Sequence, residues 1–220
     1  ALRETDLKRI LAFGTVSQLG LLTLTLGFGI QAAALAGLAL LISHALFKSS
    51  LFLIVGVIDR QLSTRDVREL SGVGRQAPVM TTAAVVAVCS MIGMIPTVGF
   101  VAKEGVLTAM LDTGVAGSAW ALVAFIGIVL GSILTAAYGV RFLWGAFATK
   151  PHTLTTPWPD PPIGFLGAPV LLSGLTLVIG CLAPLLDAVL APYADTAPLA
   201  PAGIVAPEGA AHLALWHGVN

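Results

Sequence analysis

Charge is what this sequence has least of. Only 10% of its 220 residues are Asp, Glu, Lys or Arg, where an ordinary soluble domain carries roughly a quarter. The eleven basic and eleven acidic side chains cancel. No basic field of the kind that draws a polyanion exists, and no nucleic-acid partner is expected. Cysteine is scarce too: Cys89 and Cys181 stand far apart within apolar runs. That excludes a disulfide framework and a cysteine-based metal site, and each thiol reads as a small buried hydrophobe. A Walker loop and a nucleophile elbow are missing. Gly27-x-Gly29-x-x-Ala32 matches a dinucleotide fingerprint only loosely, without the strand that phosphate binding needs. His152, His212 and His217 show no ligand spacing. No cofactor and no metal are expected.

What the sequence has instead is apolar length. It is 57% hydrophobic, with a mean hydropathy of +0.95. Five stretches are long enough to cross a bilayer, which takes roughly 20 apolar residues at 1.5 Å each. They run from Leu7 to Gly29, Ala32 to Ile58, Ala77 to Leu111, Gly117 to Phe147 and Ile163 to Leu190. Asp6 is a fair N-cap for the first, and Gly27 and Gly29 mark its stop. Pro96 and Gly99 interrupt the third. The fold class is therefore all-α: a polytopic membrane bundle of about five spans, one discontinuous near residues 95–101. Gly127-x-x-x-Gly131 in the fourth reads as a close helix–helix contact. The connections over 59–76, 148–162 and 193–208 are polar or Pro-rich and irregular, save for a short helix expected near Thr64, where Ser63 to Asp66 offer caps.

With the first span starting on one side, five crossings place Arg3, Lys8, Arg9, Arg60, Arg65, Arg68, Arg75, Arg141 and Lys150 together on that side. The opposite side carries Asp112, Asp187, Asp195 and Glu208. The positive-inside rule puts the basic side in the cytoplasm. No secretory leader pattern precedes Leu7, and the sequence reads as a segment of a longer membrane protein.

Two basic residues fall inside spans, Lys48 and Lys103, and His44 and Glu104 join them. A charge at membrane depth costs about 2.5–3.5 kcal/mol, so such residues mark ion or proton paths by default. His44 and Lys48 are four apart and share one helix face. Proton exchange through a bridging water is the chemistry such a pair supports. The plainer alternative is a hydrogen-bonded histidine beside a lysine snorkelling toward the interface. Lys103 and Glu104 follow the Pro96/Gly99 interruption and, being adjacent, face different neighbours. Broken helices place backbone groups near the midplane, where transporters handle ions. Lys8 and Arg9 open the first span. Arg9 reads as an interfacial anchor, and Lys8 fits an anchor or a path residue equally well.

These residues also carry a resemblance. Thr5-Asp6-Leu7-Lys8-Arg9 through Ser17-Gln18-Leu19-Gly20 resembles the "TDLKR-LAYSTVSQ-G" signature of the proton-translocating antiporter-like subunits of respiratory complex I and of Mrp-type cation/proton antiporters. His44-Ala45-Leu46-Phe47-Lys48 is similar to that family's "HAFFK" helix, and Gly99-Phe100-Val101-Ala102-Lys103-Glu104 to its "GF-SK-E". The likeness covers residues 5–112. Gly56 to Asp59, Ser63 to Leu70 and His212 to Gly218 resemble the large subunit of the Mrp-type antiporters. Leu40 stands where the complex I subunit usually has a second histidine, so a two-histidine relay is not expected.

The resemblance implies two inverted five-helix repeats, each with a broken helix. Residues 1–112 would belong to the second repeat and residues 113–220 to the helices and outer connection that follow. It implies that Lys103 ends a chain of protonatable groups on which His44 and Lys48 lie; Glu104 and Lys8 are further candidates from their places in the spans. It implies partner subunits in the bacterial plasma membrane, contact with lipid, and exchange of Na+ for H+ without a redox cofactor. The alternative is a proton-translocating membrane subunit of an NADH:quinone oxidoreductase. A third reading is a scaffold whose charges are inert.

Overall fold

The structure is a computed structural model that describes residues 1–151, 153–194 and 212–215. His152, His217 and the 193–208 connection beyond residue 194 lie outside the described residues. Among the described residues the elements are eight helices: α1 (Leu7–Gly27), α2 (Gln31–Leu62), α3 (Val73–Gln76), α4 (Pro78–Ile92), α5 (Val98–Val115), α6 (Ala119–Phe147), α7 (Ile163–Cys181) and α8 (Ala183–Ala194). Helices α1, α2, α6 and α7 are each long and apolar enough to span a membrane. The shorter α4 and α5 make up the expected discontinuous span between them. The chain is a polytopic helical membrane protein.

Local chemistry accounts for the boundaries. The Asp6 carboxylate accepts the Arg9 amide at 3.0 Å and starts α1. Gly29, at φ +67°, turns the chain between α1 and α2. Helix α4 stops at Gly93, whose φ of +90° few other residues adopt, and α5 restarts at Val98 behind the Thr97 cap. The interruption is thus 93–97 rather than 95–101.

The fifth apolar run, expected as one helix, is split at Leu182. Pro184 is the second residue of α8, where a missing amide costs nothing, and it prevents α7 from continuing. The helix expected near Thr64 is also absent. The Thr64 hydroxyl accepts the Asp66 amide at 3.2 Å and Asp66 accepts the Arg68 amide at 2.9 Å, so these side chains close turns instead of capping a helix. The backbone there pairs with the start of α1, Leu7 N–H to Arg65 O at 3.0 Å and Val67 N–H to Thr5 O at 2.8 Å. The thiols depart from the burial expected of them: Cys89 is half-buried and Cys181 exposed.

The basic side chains gather at one end and lace it. Arg65 lies 3.4 Å from Asp6 and 3.8 Å from Asp59. Arg141 donates to Glu4 O at 2.8 Å. The Lys150 ammonium is held by the carbonyls of Val67, Leu70 and Gly145. The Arg68 guanidinium, bonded to both Asp66 oxygens, holds that carboxyl below the usual carboxylate range. If this end is cytoplasmic, the exposed Ser63, replaced by cysteine, should react with a membrane-impermeant maleimide in everted vesicles and not in intact cells. Labelling from outside would reverse the orientation.

Two apolar cores are stacked along the bundle. One holds Leu7, Leu11, Phe47, Leu51, Met91, Tyr138 and Phe142. The other holds Leu22, Leu40, Val98, Val106, Ile128 and Leu186. Along α1, α2 and α6 the two are separated by the same short stretch: between Leu11 and Leu22 on α1, Leu40 and Phe47 on α2, and Ile128 and Tyr138 on α6. The α4/α5 break lies between Met91 and Val98, in the same layer.

Candidate functional site: two lysines in the layer between the cores

Half of the buried polar side chains among the described residues lie in this layer or at its borders. Gln18, Ser43, Lys48, Ser90, Thr97, Lys103 and Thr135 are each no more than 6% exposed. A polar group at this depth must find a partner inside the protein.

Lys103 reaches back across the break. Its ammonium donates to Ile92 O at 3.0 Å. That carbonyl belongs to the last turn of α4, which has no next turn to bond and carries the negative end of the helix dipole. The interruption therefore builds the lysine's partner. Space around the side chain is tight, since a Cβ at Gly93 would lie 2.9 Å from Lys103 Cδ.

Lys48 solves the same problem on α1. It donates to Leu11 O at 2.9 Å, and its ammonium lies 5.9 Å from the centroid of the Tyr138 ring, within cation–π range. One turn earlier on α2, His44 is half-buried and stacks on Phe47, with ring centroids 5.5 Å apart. Glu104 is half-buried and accepts the Thr108 hydroxyl at 3.2 Å. Lys103 and Glu104 thus serve different neighbours. Lys8 is exposed on the first turn of α1 at the basic end, which fits an interfacial anchor better than a place in this layer.

The structure adds residues that single-site reading of the sequence misses. A cavity of about 210 Å³ opens between α1 and α6 and is lined by Ser17, Gln18, Ser132, Thr135 and Lys103. Gly127 and Gly131 line it as well. Nothing described lies within 4 Å of a Cβ added at either, so they make room for this space in place of the helix contact expected of them. Across the seam, the Gln18 amide donates to Thr135 Oγ1 at 3.4 Å. The signal in the sequence is Ser17-Gln18, a polar pair amid an apolar run. Among the described residues, no group of three or more His, Cys, Asp or Glu side chains could hold a metal ion.

A membrane-spanning bundle with a helix broken at mid-depth and buried lysines beside the break has the construction of ion-translocating membrane proteins. More particularly, the chain belongs to the NADH:quinone oxidoreductase/Mrp antiporter transmembrane family, whose profile matches residues 1–136. It is 36% identical over 194 residues to a Na+/H+ antiporter subunit of Bacillus subtilis, an alignment covering 80% of this chain and 24% of that protein. It is 32% identical over 221 residues to a probable K+/H+ antiporter subunit of Rhizobium meliloti, covering 100% of this chain and 22% of the other. Its fold matches a chain of the Mrp complex from a Dietzia species with a TM-score of 0.79 and 36% identity, over 100% of this chain and 23% of that one. A chain of respiratory complex I from Thermus thermophilus shares the fold at a TM-score of 0.74 and 23% identity, over 88% of this chain and 39% of that one. The chain spans about a quarter of the length of the curated antiporter relatives it matches.

Proposed function

We propose that this chain is part of a membrane subunit of a cation/proton antiporter, which exchanges Na+ for H+ through intramembrane protonatable residues. The observation that carries the reading is the pair of buried lysines in one polar layer. Each is held by a backbone carbonyl, and neither pairs with a carboxylate among the described residues. A lysine in that setting stores charge without a fixed counter-ion, so an arriving cation or proton nearby can displace its proton. In this reading Lys103 is the switching residue, with Lys48 and His44 on the path toward it. Glu104 supplies negative charge beside the path, and Lys8 anchors α1 at the interface.

The natural partners are the other subunits of such a complex, the surrounding lipid, and the two ions. Relatives at 32% and 36% identity that are antiporter subunits favour exchange over redox-driven pumping.

His44 gives a direct test. In the full-length subunit within its complex, His44→Ala should slow Na+-driven dissipation of a pH gradient in everted vesicles on the order of tenfold or more. His44→Gln, which keeps a polar site for water, should retain part of the rate. Unchanged exchange in a well-assembled His44→Ala complex would leave this residue only a structural role.

A further inference from the structure

We propose that the outward groove at the basic end of α2, running from Leu53 to Arg60 and walled by Phe165 of α7, binds an anionic phospholipid of the cytoplasmic leaflet. Arg60 takes the phosphate, and the groove takes the first part of an acyl chain. Such a site needs only that α2 spans the membrane with its basic end in the cytoplasm, whatever ion the complex exchanges.

The outward stripe of α2 carries no charge until it reaches this end. Leu41, Ala45, Ser49, Leu53, Gly56 and Arg60 recur at spacings of three and four and are all exposed. The seven residues from Leu53 to Arg60 rise about 10 Å, so the stripe runs from hydrocarbon depth to the interface, where a phospholipid changes from chain to headgroup. Gly56 lies between them. A glycine inside a helix is a standing cost, and packing within the described residues does not require this one: nothing lies within 4 Å of a Cβ added there. The missing side chain leaves a notch. It belongs to a cavity of about 680 Å³ lined by Phe52, Leu53, Gly56, Arg60 and Phe165, within the roughly 300–1,000 Å³ typical of sites for small organic ligands.

Arg60 supplies the charge. Its guanidinium lies over the Phe165 ring, 4.7 Å from the centroid. That contact uses the flat face of the guanidinium and leaves its N–H donors, which lie in its plane, for another acceptor. No carboxylate or carbonyl among the described residues accepts from them. At the same end Arg9, Arg65, Arg68, Arg141 and Lys150 each have a carboxylate or a carbonyl already. Asp59 also lines the cavity, and Arg65 at 3.8 Å offsets its charge. Ser63 adds a hydroxyl at the headgroup end.

A ligand that fits must be anionic at the interface and apolar below it. Free phosphate meets the charge and leaves the notch empty. A zwitterionic choline lipid fills the notch but brings a cation back beside Arg60. An anionic phospholipid meets both demands. Two phosphate oxygens accept a bidentate pair from Arg60, a chain lies over Gly56 and Leu53, and Phe165 borders both parts. The cytoplasmic leaflet is rich in such lipids, and basic pockets between spans on that side hold their headgroups.

The test uses the full-length subunit in its purified complex, reconstituted into phosphatidylcholine vesicles. These carry a trace of phosphatidylglycerol or phosphatidylcholine with a photoactivatable diazirine in one chain, and labelled peptides are read by mass spectrometry. In the wild type, the phosphatidylglycerol probe should label residues 52–60 and Phe165 about tenfold more than the phosphatidylcholine probe, the scale of one charge-assisted contact. Arg60→Gln should bring the two probes to the same level. Arg60→Lys, which keeps the charge but not the planar fork, should retain part of the preference. Gly56→Leu fills the notch without a clash inside the chain and should reduce labelling by both probes. Excess inorganic phosphate should not compete. Equal labelling by both probes in the wild type, or an undiminished preference in Arg60→Gln, would overturn the proposal. So would competition by phosphate alone, which would mean an anion site without a lipid. Absence of label in this region, with failed assembly of Gly56→Leu, would also overturn it and make the groove a contact with another part of the complex.

Discussion

Lys103→Ala, carried by the full-length subunit in its complex, is expected to abolish cation-coupled proton exchange, by roughly a hundredfold or more, while the complex still assembles. Assembly should survive because the loss is local. Truncation orphans Ile92 O, at a cost of about 1–3 kcal/mol, but the space left by the side chain joins the cavity that Lys103 lines, and a water there can take the place of the ammonium. Removing a charge from membrane depth also relieves a burden of about 2.5–3.5 kcal/mol. Transport has no such substitute. The cavity and the break would then face each other with no group able to change charge.

Lys103→Arg separates charge from proton exchange. A guanidinium stays protonated under any working condition, so it keeps the charge and cannot hand its proton on. Its planar head must also fit beside Gly93, where the lysine stem is already close. Nearly complete loss is expected. An arginine variant with full exchange would mean that a fixed charge at this place suffices, and proton release by residue 103 would drop out of the mechanism.

Charges are the most legible part of this site, and their partners the least. Lys48 and Lys103 stand out because a lone cation in an apolar run is costly at membrane depth unless it snorkels to the interface. The atoms that hold them, Leu11 O and Ile92 O, are backbone, and no side chain advertises them. Which carbonyl is free to accept depends on where a helix ends. That end is set by Gly93 at φ +90° rather than by Pro96, the more conspicuous breaker in the sequence. Gln18 and Thr135 are 117 residues apart, so nothing local marks them as a pair. Their meeting follows from the packing of α1 on α6. The starts of α1 and α6 are readable for the opposite reason: Asp6 and Ser118 cap them through contacts three residues long. The α7/α8 break carries a signal as well, in Pro184, which an uninterrupted count of apolar residues passes over.

Gly180→Ala is expected to be among the most damaging single methyl groups added to the described residues, together with Gly99→Ala, whose Cβ would lie closer still to the backbone oxygen of Ser90. A Cβ at that position would sit 2.2 Å from Pro96 O, 2.5 Å from Thr97 C and 2.6 Å from Val98 N. All three are backbone atoms of the α4/α5 connection, so no side-chain rotation relieves the clash, and either α7 or the break must move. Helix α7 is poorly placed to yield. The Ser173 hydroxyl donates to Ala83 O at 2.9 Å, the Ser50 hydroxyl donates to Pro169 O at 2.9 Å, and the two hydroxyls lie 2.7 Å apart, which fastens α7 to both α2 and α4. The strain passes instead to Thr97, the cap of α5, and to the geometry that lets Lys103 reach Ile92 O. Overpacking of this kind costs about 1–3 kcal/mol where neighbours can adjust, and more is expected against backbone. Gly180→Ala should lower the yield and thermal stability of the detergent-extracted complex, and Gly180→Leu should prevent assembly. Gly174→Ala, on the same helix with nothing described within 4 Å of the added carbon, should be neutral or mildly stabilising, since alanine is favoured over glycine inside a helix by about 1 kcal/mol. If Gly180→Ala and Gly174→Ala behave alike, the two breaks do not pack on each other as described. The polar layer would then need some other support for the position of Lys103.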